Sequence, residues 1–138
     1  MHYRLLIQSI KPCGCDWEGR VLGRLVKGTE IEFSYFTSDQ HAAELFPVGR
    51  EIDVELIVRC SSAQPAKDQR NFLIADGTSG FRACGQLIGT RDYDDERLYV
   101  LSAGLLIEFD NELGEHVPAV GEWLEVSGEL VGEWWHET

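Results

Sequence analysis

Apolar and polar residues alternate along most of this chain, and a period of two is what a strand with one buried face requires. Over residues 29–35, Ile31, Phe33 and Tyr35 share one face, with Glu30, Glu32 and Ser34 on the other. Over 51–60, the set Ile52, Val54, Leu56, Val58 and Cys60 alternates with Asp53, Glu55 and Arg59. Leu124, Val126 and Leu130 alternate with Glu125 and Glu129 in the last clear strand. Further strands are expected over 3–10, 19–27, 71–75, 80–89, 97–101 and 105–109, most of them set apart by polar or glycine-containing breaks. One short helix is expected over 38–46, where Ser38 or Asp39 can cap and Ala42-Ala43-Glu44-Leu45 propagate. Many short strands divided by turn signals belong to a barrel or a sandwich. The expected fold is therefore all-β: a small barrel with extra N-terminal strands and one short helix. At 138 residues, one domain spanning 1–138 is expected, long enough to bury a core without staples.

Charge is the bulk property that bears most on function. Twelve basic and 24 acidic residues leave a net charge of −12. Residues 98–138 contain no Lys or Arg but nine carboxylates, so the C-terminal third projects a negative field wherever it reaches the surface. Such a field repels phosphate backbones and anionic lipids and attracts basic proteins. No apolar run is long enough for a membrane helix or for a signal-peptide core, which needs roughly 7–15 apolar residues. The cytoplasm is the expected compartment, and no membrane partner is expected.

A weak internal echo is visible. Val48-Gly49-Arg50-Glu51-Ile52-Asp53-Val54 lines up with Val120-Gly121-Glu122-Trp123-Leu124-Glu125-Val126, 72 positions on. Upstream of each stands an Ile-Glu-Phe (residues 31–33 and 107–109), then a polar stretch carrying one histidine, His41 or His116. Two readings stand: a repeated β unit, or simply the way acidic strands begin, with glycine followed by alternating apolar residues.

The stretch Asn71-Phe72-Leu73-Ile74-Ala75-Asp76-Gly77-Thr78-Ser79-Gly80-Phe81-Arg82-Ala83-Cys84-Gly85 resembles the second and third strands of nucleic-acid-binding OB-folds, joined by an Asp-Gly-Thr-Gly-type turn. Asp76 can hydrogen-bond its own turn, and Gly77 and Gly80 supply positive φ. The resemblance implies a small barrel in which 51–60 is the first strand and 122–131 the last. It also implies a strand-binding surface on which Phe72 and Phe81 stack and Arg82 meets phosphate. Separately, Arg20, Arg24 and Lys27 with Trp17 form a modest basic cluster able to touch phosphate, although Glu18, Glu30 and Glu32 are close by in sequence. The chain departs from the OB pattern in its 50 preceding residues, in strand material over 92–118 where a helix belongs, and in its charge. Unspecific strand-binding surfaces are basic. Alternation alone turns Phe72 and Phe81 toward the core.

The candidate chemistry is sparse. Cys13-Gly14-Cys15 looks like half a metal site, which Cys60 and Cys84 would complete, but zinc pairs usually have two to four residues between their cysteines. A buried free thiol is the ordinary fate of Cys60 on its apolar face. The same spacing argues against a redox pair at Cys13 and Cys15, and four irregular cysteines make no disulfide framework. Residues 92–96 form an acidic run without the spacing of a calcium loop. His41 and His116 lack a neighbouring nucleophile motif. No cofactor, metal or enzyme activity is therefore expected.

The leading expectation is an acidic protein-binding module, such as an immunity protein or inhibitor that neutralises a basic toxin. Its carboxylates Glu108, Glu112, Glu115 and Glu122 would steer the partner, and Trp123, Trp134 and Trp135 would anchor it. The alternatives are a single-stranded nucleic-acid-binding OB protein and a small enzyme or metal-binding accessory protein.

Overall fold

Strand pairing accounts for almost all of the architecture. The computed structural model describes residues 2–26, 28–75, 80–93 and 95–133. Among these residues are ten strands: β1 (His2–Pro12), β2 (Gly19–Leu25), β3 (Glu30–Tyr35), β4 (Glu51–Glu55), β5 (Ile57–Pro65), β6 (Phe72–Ala75), β7 (Gly80–Tyr93), β8 (Glu96–Ser102), β9 (Leu106–Phe109) and β10 (Trp123–Glu133). One helix, α1 (Asp39–Leu45), follows β3, and Ser38 caps it by accepting from the His41 amide at 3.1 Å. The fold is all-β. Among the described residues no helix is long and apolar enough to cross a membrane. The turn expected over 76–80 lies, but for Gly80, outside the described residues.

Five strands close on themselves. β5 pairs in parallel with β9, β9 with β8, β8 with β7, β7 with β10, and β10 returns to β5. A second ring runs from β1 through β2 and β3 to β10, where β3 and β10 are parallel. It returns along β5 and β4, which are one strand bent at Leu56, to β1. The antiparallel ribbon β5·β10 is common to both rings. Core side chains follow the alternation: Ile31, Phe33 and Tyr35 on β3, and Leu124, Val126 and Leu130 on β10, are all buried. Each large apolar side chain buried this way contributes about 1.5–3 kcal/mol. Leu56, Ile57 and Val58 are all buried in succession, because the strand passes between the two rings and has no solvent face there.

The two rings are built from the same unit in the same register. Ile7 pairs with Gly23 and, across a bulge, Ser9 with Leu22; Leu87 pairs with Leu101 and, across a bulge, Gly89 with Val100. Val21 faces Phe33 as Tyr99 faces Phe109. Tyr3 faces Val54 as Ala83 faces Val126. The Ile7 amide donates to Arg50 O at 2.9 Å and the Gly49 amide to Ile7 O at 2.8 Å. Leu87 with Glu122 O and Gly121 with Leu87 O repeat those bonds at 2.9 and 2.8 Å. Gly49 (φ 86°) and Gly121 (φ 92°) occupy the left-handed position of the same turn, which explains why the sequence echo centres on them. Of the two readings of the echo, the repeated unit is the one the pairings follow. The units part between their third and fourth strands, where the first has α1 and the second an irregular loop over 110–122.

The ribbon's centre sets one stability prediction. Cys60 and Ser61 stand opposite the single Gly128 as a bulge, with Cys60 at φ 50°. A Cβ at Gly128 would lie 2.8 Å from Val58 Cγ1 and 2.9 Å from Arg59 O. Gly128→Val should destabilise by at least ~1–3 kcal/mol, the usual range for overpacking, read as a lower urea midpoint. An unchanged midpoint would contradict this close approach.

Candidate protein-binding loop

The loop over 110–122 leaves β9 at Asp110 and is fastened to the bulge of β5. Asp110 accepts from the amides of Cys60 (3.0 Å), Ser61 (3.1 Å) and Glu112 (3.1 Å) and from Ser61 Oγ (2.7 Å). Asn111, at φ 54°, accepts from the Ala63 amide at 2.9 Å and donates through Nδ2 to His116 O at 3.0 Å. The Leu113 amide donates to Ser61 O at 2.9 Å. At the far end His116 Nε2 meets Glu122 at 2.8 Å, and the Ala119 amide donates to Glu122 Oε1 at 3.2 Å. The His116 hydrogen bond, with smaller help from the Ala119 amide, holds the Glu122 carboxyl below the usual carboxylate range against desolvation. Short polar side chains thus do for this loop what a helix's own hydrogen bonds do for α1.

A loop so braced holds out apolar side chains. Leu113, Val117 and Val120 are 67%, 79% and 70% exposed, and Glu112 and Glu115 are exposed beside them. Such residues contribute little to the core. Sequence reasoning overlooked these three. The signal available was the loss of alternation over 110–122 while apolar residues continued.

The residues expected to face a partner are divided by the fold. Glu112 and Glu115 are on the loop surface and Glu122 braces it, while Trp123 is half-buried at the start of β10. Glu108 requires correction: it is 1% exposed and bonded by Arg91 at 2.5 and 3.1 Å. Burial pushes this carboxyl up, and nearby positive charge, the Arg91 guanidinium first, more than offsets it and holds it below its ordinary range. Glu108 therefore belongs to the structure of the five-strand ring that contains β9 and presents no surface charge. Trp134 and Trp135 lie outside the described residues.

The nucleic-acid set is likewise scattered. Phe81 is in the core, but Phe72 is half-buried on the outer face with the Arg82 guanidinium 5.9 Å from its ring centroid, contrary to the expected inward turn. Arg82 is also paired with Glu125. Arg20 and Arg24 point outward from β2, where Arg20 faces Glu32 at 3.6 Å and Arg24 stands opposite Glu30. Trp17 is 59% exposed at the β1–β2 tip. Cys60 is exposed, not buried, because the bulge turns it off the apolar face; Cys84 is buried. Neither joins Cys13 and Cys15, which the fold links as a disulfide of sequence separation 2. The pair discounted on spacing is thus the one brought together, although so small a ring staples no elements.

Comparison with protein-family models, with curated proteins and with solved structures finds no match to this chain.

Proposed function

We propose that this is an acidic protein-binding module whose 110–122 loop grips a basic partner, in the manner of an immunity protein or inhibitor that neutralises a toxin. The observation that carries the reading is the fastened loop that exposes Leu113, Val117 and Val120 together with Glu112 and Glu115. A rigid apolar patch costs little ordering on binding, and flanking carboxylates steer a basic surface toward it.

We infer in addition that both rings are OB-type barrels with one strand exchanged. In an OB barrel the long first strand pairs with the second and the fourth, and the third runs parallel to the fifth. β1, β2, β3 and β4 fill the first four places of one ring, and β10 the fifth; β7, β8, β9 and β10 fill the first four of the other, and β5 the fifth. The ring order supports the OB reading. The engagement of Arg82 by Glu125 and the excess of carboxylates argue against strand binding.

The test is capture of the partner from the native host followed by association kinetics at several salt concentrations. Glu112→Gln with Glu115→Gln should slow association several-fold at low salt and lose that effect as the Debye length shrinks to ~3 Å at 1 M. Leu113→Asp should speed dissociation at least tenfold, since short-range anchors act after encounter. Both variants should keep the parent melting temperature. An acidic partner, or rates indifferent to all three substitutions, would refute the reading; oligonucleotide binding released by salt would replace it with the nucleic-acid alternative.

A further inference from the structure

The tip of the β1–β2 hairpin brings two sulfurs and a carboxylate to one point. Pro12 and Gly19 form the last strand pair, and the Cys13 amide donates to Glu18 O at 3.0 Å, so Cys13 and Glu18 face each other across the ribbon. Gly14 at φ 98° and Asp16 at φ 70° fold the four intervening residues back, and the Cys15 amide donates to Cys13 Sγ at 3.3 Å. Sγ of Cys13, Sγ of Cys15 and a Glu18 carboxylate oxygen consequently lie within 4.8 Å of one another, all on exposed residues.

We propose that, with Cys13 and Cys15 reduced, this hairpin tip is a binding site for a thiophilic divalent cation of the zinc type. Two thiolates at ~2.3 Å and a carboxylate oxygen at ~2.0 Å from a tetrahedral ion stand roughly 3.5–3.8 Å apart, which three groups within 4.8 Å reach by side-chain rotation. The short Cys-x-Cys spacing is no obstacle, because the third ligand arrives from the opposite strand of the hairpin. Gly14 supplies the left-handed turn that lets both sulfurs face the same way. The donor set favours zinc or cobalt over calcium or magnesium, which select oxygen ligands. Cys13 and Glu18 also line a groove of about 310 Å³ with Arg20, Ser34, Phe36 and Glu129, and three protein ligands would leave a fourth position for water or for a ligand in that groove.

The chemistry balances without a further component. A small-molecule thiol reduces the Cys13–Cys15 disulfide, two RSH giving two protein thiols and one RSSR. The cation then binds with release of one proton from each thiol, so affinity should rise with pH until the thiols ionise unaided. Oxidation reverses both steps and expels the ion.

The full chain, reduced with a phosphine and titrated with Co²⁺, should develop a thiolate-to-cobalt charge-transfer band that saturates at one equivalent and is bleached by Zn²⁺. Cys13→Ser or Cys15→Ser should abolish the band. Glu18→Gln should weaken binding about tenfold, and Cys60→Ser, at the other exposed thiol, should leave it unchanged. Native mass spectrometry of the reduced protein should count one zinc ion, and none after reoxidation. Because the loop is exposed, circular dichroism should confirm that every variant is folded. No band in the reduced protein, a band that persists in the Cys13→Ser, Cys15→Ser double variant, or Glu18→Gln with parent affinity would overturn the proposal.

Discussion

Divided between Ala66 and Lys67, the chain is expected to yield two fragments that fold together and not apart. The first would keep β1 to β5 but lose β10, which is the parallel neighbour of β3 and the antiparallel neighbour of β5. The second would keep β6 to β10 but lose β5, leaving one edge of β9 and one edge of β10 unpaired. Each would expose half of the ribbon that closes its ring, including Leu56 and Val58 or Leu124, Val126 and Leu130. An unpaired strand with a bare apolar face is both unstable and prone to associate. Mixing equimolar fragments should restore the β circular dichroism spectrum and a cooperative urea transition, with a midpoint that rises with concentration. A fragment that is folded and monomeric would show that the ribbon is not shared in the way described.

Arg91→Ala should be the most damaging single change outside the core. It removes the guanidinium from Glu108, a carboxylate with 1% exposure, while leaving that charge in place. Breaking a fully buried pair costs about 3–5 kcal/mol. Arg91 is itself 42% exposed and also reaches Glu55 at 3.2 Å, so a cost nearer ~2 kcal/mol is expected after solvent screening. Its pH dependence has a definite sign. In the parent the Glu108 carboxyl is depressed, so its stabilisation is complete above the unfolded value of about 4.3 and is lost as pH falls through the lower folded value. In Arg91→Ala, burial meets less opposition and the folded value rises relative to the parent, so protonation costs the variant less than it costs the parent. The stability gap measured by urea titration should therefore narrow from pH 7 to pH 4. A gap that is constant with pH would mean that Arg91 acts through packing alone. Replacing both partners by leucine should recover much of the loss, since no buried charge would remain.

These expectations depend on features that differ in how far they can be read from the chain. The alternating pattern is local: Ile31, Phe33 and Tyr35 on one face require a strand with that face covered, whatever covers it. The cap at Ser38 is equally local, and α1 begins where that residue places it. The repeat was half legible, because Gly49 and Gly121 perform a task that only their own φ angles demand. The single run expected over 51–60 was legible as strand but not as the bend at Leu56 or the bulge at Cys60, since both arise from meeting β10 across the ribbon.

Composition and alternation by themselves determined that this chain is all-β, strongly acidic, and possessed of one short helix. Tertiary structure alone decided which charges are available. Glu108 and Glu112 are four residues apart and chemically alike, yet one is sealed against Arg91 and the other stands in water. The difference is made by a strand 17 residues earlier in the sequence. The loop at 110–122 became a surface feature in the same way, when Ser61 and Ala63 on the shared ribbon took up the hydrogen bonds of Asp110 and Asn111. Side-chain alternation depends on neighbours in sequence, whereas burial of a charge and bracing of a loop depend on partners that the chain brings near only when both rings close.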